Sequence, residues 1–201
     1  MRERQRRQPS LEEQLAVLDS CGIRLHASLT IDHLLRVFDR QEYETEPFQL
    51  LLTVMGGEAG EMIDEDSDPL FAYPSDNIWH LDTECIEDHG SYVAVAERMR
   101  DLAQGELPLI FIEDYVDINA NAAHLSFHLD GQKYRWEAQV EDDWIDPTIL
   151  SKFVELLTAR NTARQYTYCD LGGQDCLIGC STPQELARLQ VKTRLPFEWL
   201  T

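Results

Sequence analysis

Histidine and cysteine are the residues of this chain best suited to hold a metal or carry nucleophilic chemistry, and there are six of the first and five of the second. His124 and His128 fall on one side of an alternating segment, and His80 and Asp82 do so in another. Were those segments neighbours, they would assemble a carboxylate and imidazole metal site. Nothing in the spacing requires it, and histidines on the solvated side of a half-buried sheet serve equally well as polar surface. The cysteines Cys21, Cys85, Cys169, Cys176 and Cys180 lack the paired short spacings of a zinc site. Their odd number, in a chain large enough to fold without staples, reads as reduced, buried thiols in a cytoplasm.

Other chemical motifs fall short in specific ways. Asp64, Asp66 and Asp68 look like the opening of a calcium loop, but Pro69 stands where glycine is needed and Ser75 where glutamate is needed. The run Gly56-Gly57-Glu58-Ala59-Gly60 lacks the lysine of a phosphate loop, and the acids after it would repel phosphate, so it reads as a turn. No serine or cysteine sits in a nucleophile elbow. The expectation is therefore a protein that is not an enzyme, with no catalytic residue, cofactor or metal assigned. A metal-dependent enzyme using His124 and His128 with nearby carboxylates is the alternative, and a non-catalytic adaptor is another.

Charge is the informative quantity. The formal net charge is -20, and between Arg40 and Arg98 there is no lysine or arginine while Asp and Glu occur fifteen times. A surface of one sign repels nucleic acid and anionic lipid and attracts basic partners. Direct nucleic-acid and membrane ligands are excluded on that ground, and no apolar run approaches the ~20 residues of a membrane span. MRERQRRQPS is basic but no apolar stretch follows it, so residues 1–9 read as a disordered arm rather than a secretory signal, ahead of one domain over 10–201.

The elements that would position these residues are legible from capping and periodicity. Ser10 and Glu13 form a capping box ahead of Leu11, Leu15 and Leu18, and Thr30 and Asp32 open a second short helix. Phe48 to Met55 reads as a buried strand. Glu58 to Asp76, with two prolines and seven acids, reads as a long exposed loop. A short strand from Ile78 to Leu81 leads to a helix capped by Ser91 and then to a strand from Leu107 to Ile112.

Asp130-Gly131 predicts a two-residue type I′ hairpin, which places Phe127 opposite Tyr134, Leu125 opposite Trp136 and Ala123 opposite Ala138. Asp146-Pro147 starts the principal core helix, with Ile149, Leu150, Phe153, Val154 and Leu157 inward. A second hairpin around Gly172-Gly173 brings Cys169 to face Cys176, and Thr182, Pro183 and Glu185 open a last helix. The class is α+β: a single domain with a mainly antiparallel sheet, built from two hairpins and further strands, and helices packed on one face.

Mutual repulsion among so many carboxylates destabilises a fold, and a basic partner would exploit them. The contact surface is expected on Glu61, Asp64, Glu65, Asp66 and Asp68 and on the turn Glu141-Asp142-Asp143, with Phe71, Tyr73 and Trp144 as aromatic anchors. The segments WEAQVEDDWIDPTILSKFVELL, DLGGQDCLIGCSTPQEL and PFEWL, within residues 133 to 200, resemble small bacterial immunity proteins of polymorphic toxin systems. The resemblance implies a cytoplasmic protein that binds a cognate toxin's C-terminal domain and blocks its active site, and the acidic charge adds the expectation of a toxin with a basic surface, one acting on nucleic acid or nucleotides. A homodimer is compatible with the sequence.

Overall fold

The computed structural model describes residues 7–62 and 71–201. Four helices come first, α1 (Leu11–Ser20), α2 (Ile31–Val37), α3 (Arg40–Thr45) and α4 (Gln49–Gly56), and a 3₁₀ turn at Gly60–Met62 follows. Then come β1 (Ile78–Asp82), α5 (Ser91–Leu102), β2 (Ile110–Asp117), β3 (Ala122–Leu129) and β4 (Gln132–Ala138). The chain closes with α6 (Pro147–Ala159), β5 (Gln165–Gly172), β6 (Asp175–Ser181), α7 (Pro183–Thr193) and β7 (Glu198–Trp199). The fold is α+β, with every strand pair antiparallel, in a four-stranded sheet of order β1-β6-β5-β7 and a three-stranded sheet of order β2-β3-β4.

Strand alternation divides the interior into two cores on the two faces of the four-stranded sheet. Trp79, Leu81, Tyr166, Cys176 and Ile178 point to one side, where α5 and α6 add Val95, Met99, Ile149 and Phe153, and the three-stranded sheet closes that core with Val116, Leu125 and Phe127. Ile78, Cys169 and Leu177 point to the other side and meet Leu18, Leu51, Met55, Leu186 and Leu189 from α1, α4 and α7. The three-stranded sheet thus has helices on one face, and the four-stranded sheet is covered on both.

The β3–β4 hairpin has the expected register, with Phe127 opposite Tyr134 and Leu125 opposite Trp136, because Asp130 (φ 52°) and Gly131 (φ 79°) both take the positive φ of the tight turn. Capping boxes at Ser10 and Thr182 and the Asp146-Pro147 start of α6 also stand where the sequence places them.

Phe48 to Met55 is helix α4 and not a strand. A short apolar run cannot distinguish the two states by itself, and packing decides. Leu51, Leu52 and Met55 are buried, and Gly56 seats the helix against β1, where a Cβ would lie 2.5 Å from the His80 nitrogen. The buried Gln14 side chain fixes the entry to α4: its Nε2 donates to the Tyr43 carbonyl at 2.8 Å, and its Oε1 accepts from the Phe48 N–H at 2.8 Å.

In the second hairpin Cys169 faces Leu177 and Asp170 faces Cys176, because the turn is made by Gly173-Gln174 and not by Gly172-Gly173, and an irregularity between Asp170 and Gly172 takes back one of the two residues of that shift. The two cysteines consequently lie in different cores. Ser91 is not the cap of α5. Gly90 holds that position, and the Asp114 carboxylate reaches from β2 to accept from the N–H groups of Gly90, Tyr92 and Val93. The strand expected from Leu107 begins at Ile110, with Leu107 and Leu109 buried ahead of it.

Candidate functional site

Three chain segments distant in sequence meet at the end of β1. Gln174, in the turn between β5 and β6, accepts through its carbonyl from the Thr83 N–H at 3.0 Å, and its side chain donates to Asp82 at 3.3 Å and Glu84 at 3.1 Å. On the other side the Ile145 N–H donates to Thr83 O at 2.8 Å and the Ile86 N–H to Asp143 O at 2.9 Å, while Glu84 forms an isolated bridge with Trp144. These bonds bring Asp82, Glu84, Glu87 and Asp88 alongside Glu141, Asp142 and Asp143, and Asp175 is the cross-strand partner of Asp82. None of these eight carboxylates pairs with lysine or arginine among the described residues; Asp175 Oδ1 instead lies 3.0 Å from His80 Nε2.

The cation-bearing ion pairs lie elsewhere, such as Arg40 with Glu12, Arg160 with Asp130 and Arg164 with Glu185. The edge is therefore a patch of one sign whose field reaches outward over roughly the 8 Å screening length of physiological salt. Burial, reinforced by Asp82 and Asp143, pushes the neighbouring Cys85 thiol up to about 11, so it stays protonated at neutral pH.

Two cavities flank the edge. A cleft of about 520 Å³ is lined by Glu58, Asp82, Glu87 and Asp88 with Tyr73, His80 and His89. A second cavity, of about 620 Å³, is largely apolar, walled by Trp144, Ile145, Leu150, Tyr168 and Leu200, with the exposed Glu141 also in its lining. Trp144 is 41% exposed. The turn that presents it is closed by the Trp144 N–H donating to Glu141 O at 3.0 Å, with Asp142 at φ 54°.

Of the residues expected to form the contact surface, Glu141, Asp142, Asp143 and Trp144 are thus brought into one edge. Asp64, Glu65, Asp66 and Asp68 lie outside the described residues, and Glu61 has its backbone in the 3₁₀ turn. Phe71 and Tyr73 are half-buried and already engaged. Phe71 stacks on His26 with ring centroids 4.2 Å apart, and Tyr73 covers the Arg98 guanidinium. Asp82, Glu84, Glu87 and Asp88 lie outside the expected contacts, although four acids in the seven residues DTECIED are a visible signal.

His80 and Asp82 do not meet His124 and His128 in one site. His80 is on the four-stranded sheet. His124 and His128 are on the outer face of the three-stranded sheet, stacked on Tyr115 at 5.6 Å and edge-on to Phe111 at 5.5 Å. Among the described residues no three His, Cys, Asp or Glu side chains are grouped as metal ligands would be. All five cysteines are free, and no helix among the described residues is long and apolar enough to cross a membrane. No protein-family model, curated protein or solved structure matches the chain.

Proposed function

We propose that this chain is a toxin-neutralising immunity protein, which captures a basic effector toxin through the acidic edge and blocks the cleft where that toxin would hold phosphates. The observation that carries this reading is the convergence of residues 82–88, 141–144 and 174–175 into an edge whose carboxylates pair with no lysine or arginine among the described residues, with Trp144 exposed at its border. An aromatic group beside a charged rim is the usual energetic layout of a tight protein interface. Complementary charge also speeds capture, toward roughly 10⁸ to 10⁹ M⁻¹ s⁻¹ at low salt, which suits an inhibitor that must act before its target does.

The test is growth rescue. Cells expressing the toxin encoded beside this gene should survive when the chain is co-expressed. The variant Glu84→Gln, Glu87→Gln, Asp88→Asn, Asp142→Asn should protect poorly while remaining folded. Full protection by that variant, together with an unchanged association rate at low salt, would remove the acidic edge from the mechanism.

A further inference from the structure

The acidic edge explains attraction but gives no shape for a partner to fit, and the cavity of about 620 Å³ beside it supplies one. We infer that this cavity seats one bulky apolar side chain of the partner, carried in the partner's sequence next to lysine or arginine. The inference rests on the reading of the chain as a binder of a basic protein, and adds the chemistry of the partner's anchor.

Three features of the cavity point to that occupant. Its size falls within the roughly 300–1,000 Å³ of pockets that enclose a compact ligand. Its walls are Trp144, Ile145, Leu150, Tyr168 and Leu200, so an apolar group gains by leaving water for it. Glu141 lines the cavity and is exposed, and a backbone bridge sets Glu84 beside Trp144, so the site repels an anionic segment and favours a cation on either side of the anchor. Two backbone links hold Trp144 in place, its N–H to Glu141 O and the bridge to Glu84. A wall fixed in advance costs little ordering when the partner arrives.

The experiment titrates the isotope-labelled full chain with three blocked tripeptides, acetyl-Lys-Phe-Lys-amide, acetyl-Lys-Gly-Lys-amide and acetyl-Glu-Phe-Glu-amide, and follows amide and indole resonances. The Lys-Phe-Lys peptide should shift the Thr83, Leu150 and Leu200 amides and the Trp144 indole as well as the Glu84, Glu87 and Asp88 amides. The Lys-Gly-Lys peptide should shift only the second group, and Glu-Phe-Glu neither. Trp144→Ala should weaken the Lys-Phe-Lys peptide about tenfold and leave Lys-Gly-Lys unchanged. Leu200→Glu, which alters the wall without touching the turn, should give the same selective loss.

Identical shifts from the Phe and Gly peptides, or equal binding of Glu-Phe-Glu, overturn the inference and leave the acidic-edge reading standing. If neither lysine peptide moves Glu84, Glu87 or Asp88, that reading falls and takes the inference with it.

Discussion

The guanidinium carbon of Arg98 lies 3.9 Å from the ring centroid of Tyr73, and the arginine is only 1% exposed. Among the described residues no carboxylate pairs with it. Its Nη2 donates instead to the carbonyls of Ser75, at 2.7 Å, and Ile78, tying α5 to the start of β1. Burial pulls its pKa down to about 10, and its Nε is without a partner. α5 is thus joined to the segment that enters β1 by a buried cation whose charge is met by backbone dipoles and an aromatic face.

Arg98→Met should therefore destabilise the fold. It removes an expensive desolvated charge but orphans two buried carbonyls, each costing about 1–3 kcal/mol. Urea unfolding should show a net loss of about 2 kcal/mol or more, by the same accounting. An unchanged midpoint would mean that water replaces the guanidinium at no cost.

Asp114 acts as a cap supplied from another element, and Asp114→Ala should cost about 1–2 kcal/mol, as loss of an N-cap does. Faster hydrogen exchange at the Tyr92 and Val93 amides is the specific readout, since both donate to that carboxylate. Uniform exchange along α5 would show that the contact does not hold the helix start.

Phe153 packs between Phe127 at 6.1 Å and Trp136 at 5.0 Å and is completely buried. Phe153→Ala should lower stability by about 3–5 kcal/mol, the range for emptying an aromatic core site. Calorimetry that found less than 1 kcal/mol would place this cluster outside the cooperative core.

Burial raises the Cys176 and Cys180 thiols to about 12 and Cys169 to about 11, from an ordinary value of 9.0. A folded pKa above the unfolded one means that the unfolded chain ionises first as pH rises. The stabilisation is fully present below about pH 9 and is lost progressively toward pH 12. Unfolding midpoints should fall across that window, and the fall should be shallower in Cys180→Ala. Identical slopes in the two proteins would assign the alkaline loss to other groups.

The carboxylates of Glu87, Asp88 and Asp142 face solvent, and self-repulsion along their edge works against folding. Glu87→Gln, Asp88→Asn, Asp142→Asn should hold or raise the melting temperature at low salt and reduce the stabilising effect of added sodium chloride. Asn also tolerates the left-handed backbone at position 142. A lower melting temperature would show that these charges support the fold.

The sequence by itself determined what depends on a few adjacent residues. Asp130 and Gly131 set the hairpin register through their own backbone angles, Ser10 with Glu13 and Thr182 with Glu185 set helix starts through local hydrogen bonds, and Asp146-Pro147 did so for α6. The absence of basic residues between Arg40 and Arg98 was equally plain. Tertiary structure alone decided what depends on distant partners. Phe48 to Met55 became helix because Gly56 lets it lie on β1, the Cys169 register shifted because the turn fell at Gly173-Gln174, and the cap of α5 came from Asp114, in β2. Residues 82–88 and 141–144 meet through backbone bonds such as Ile86 to Asp143. Local signals survive in sequence because their energies are short-range, whereas the meeting of remote segments is settled only when the whole chain buries its apolar surface.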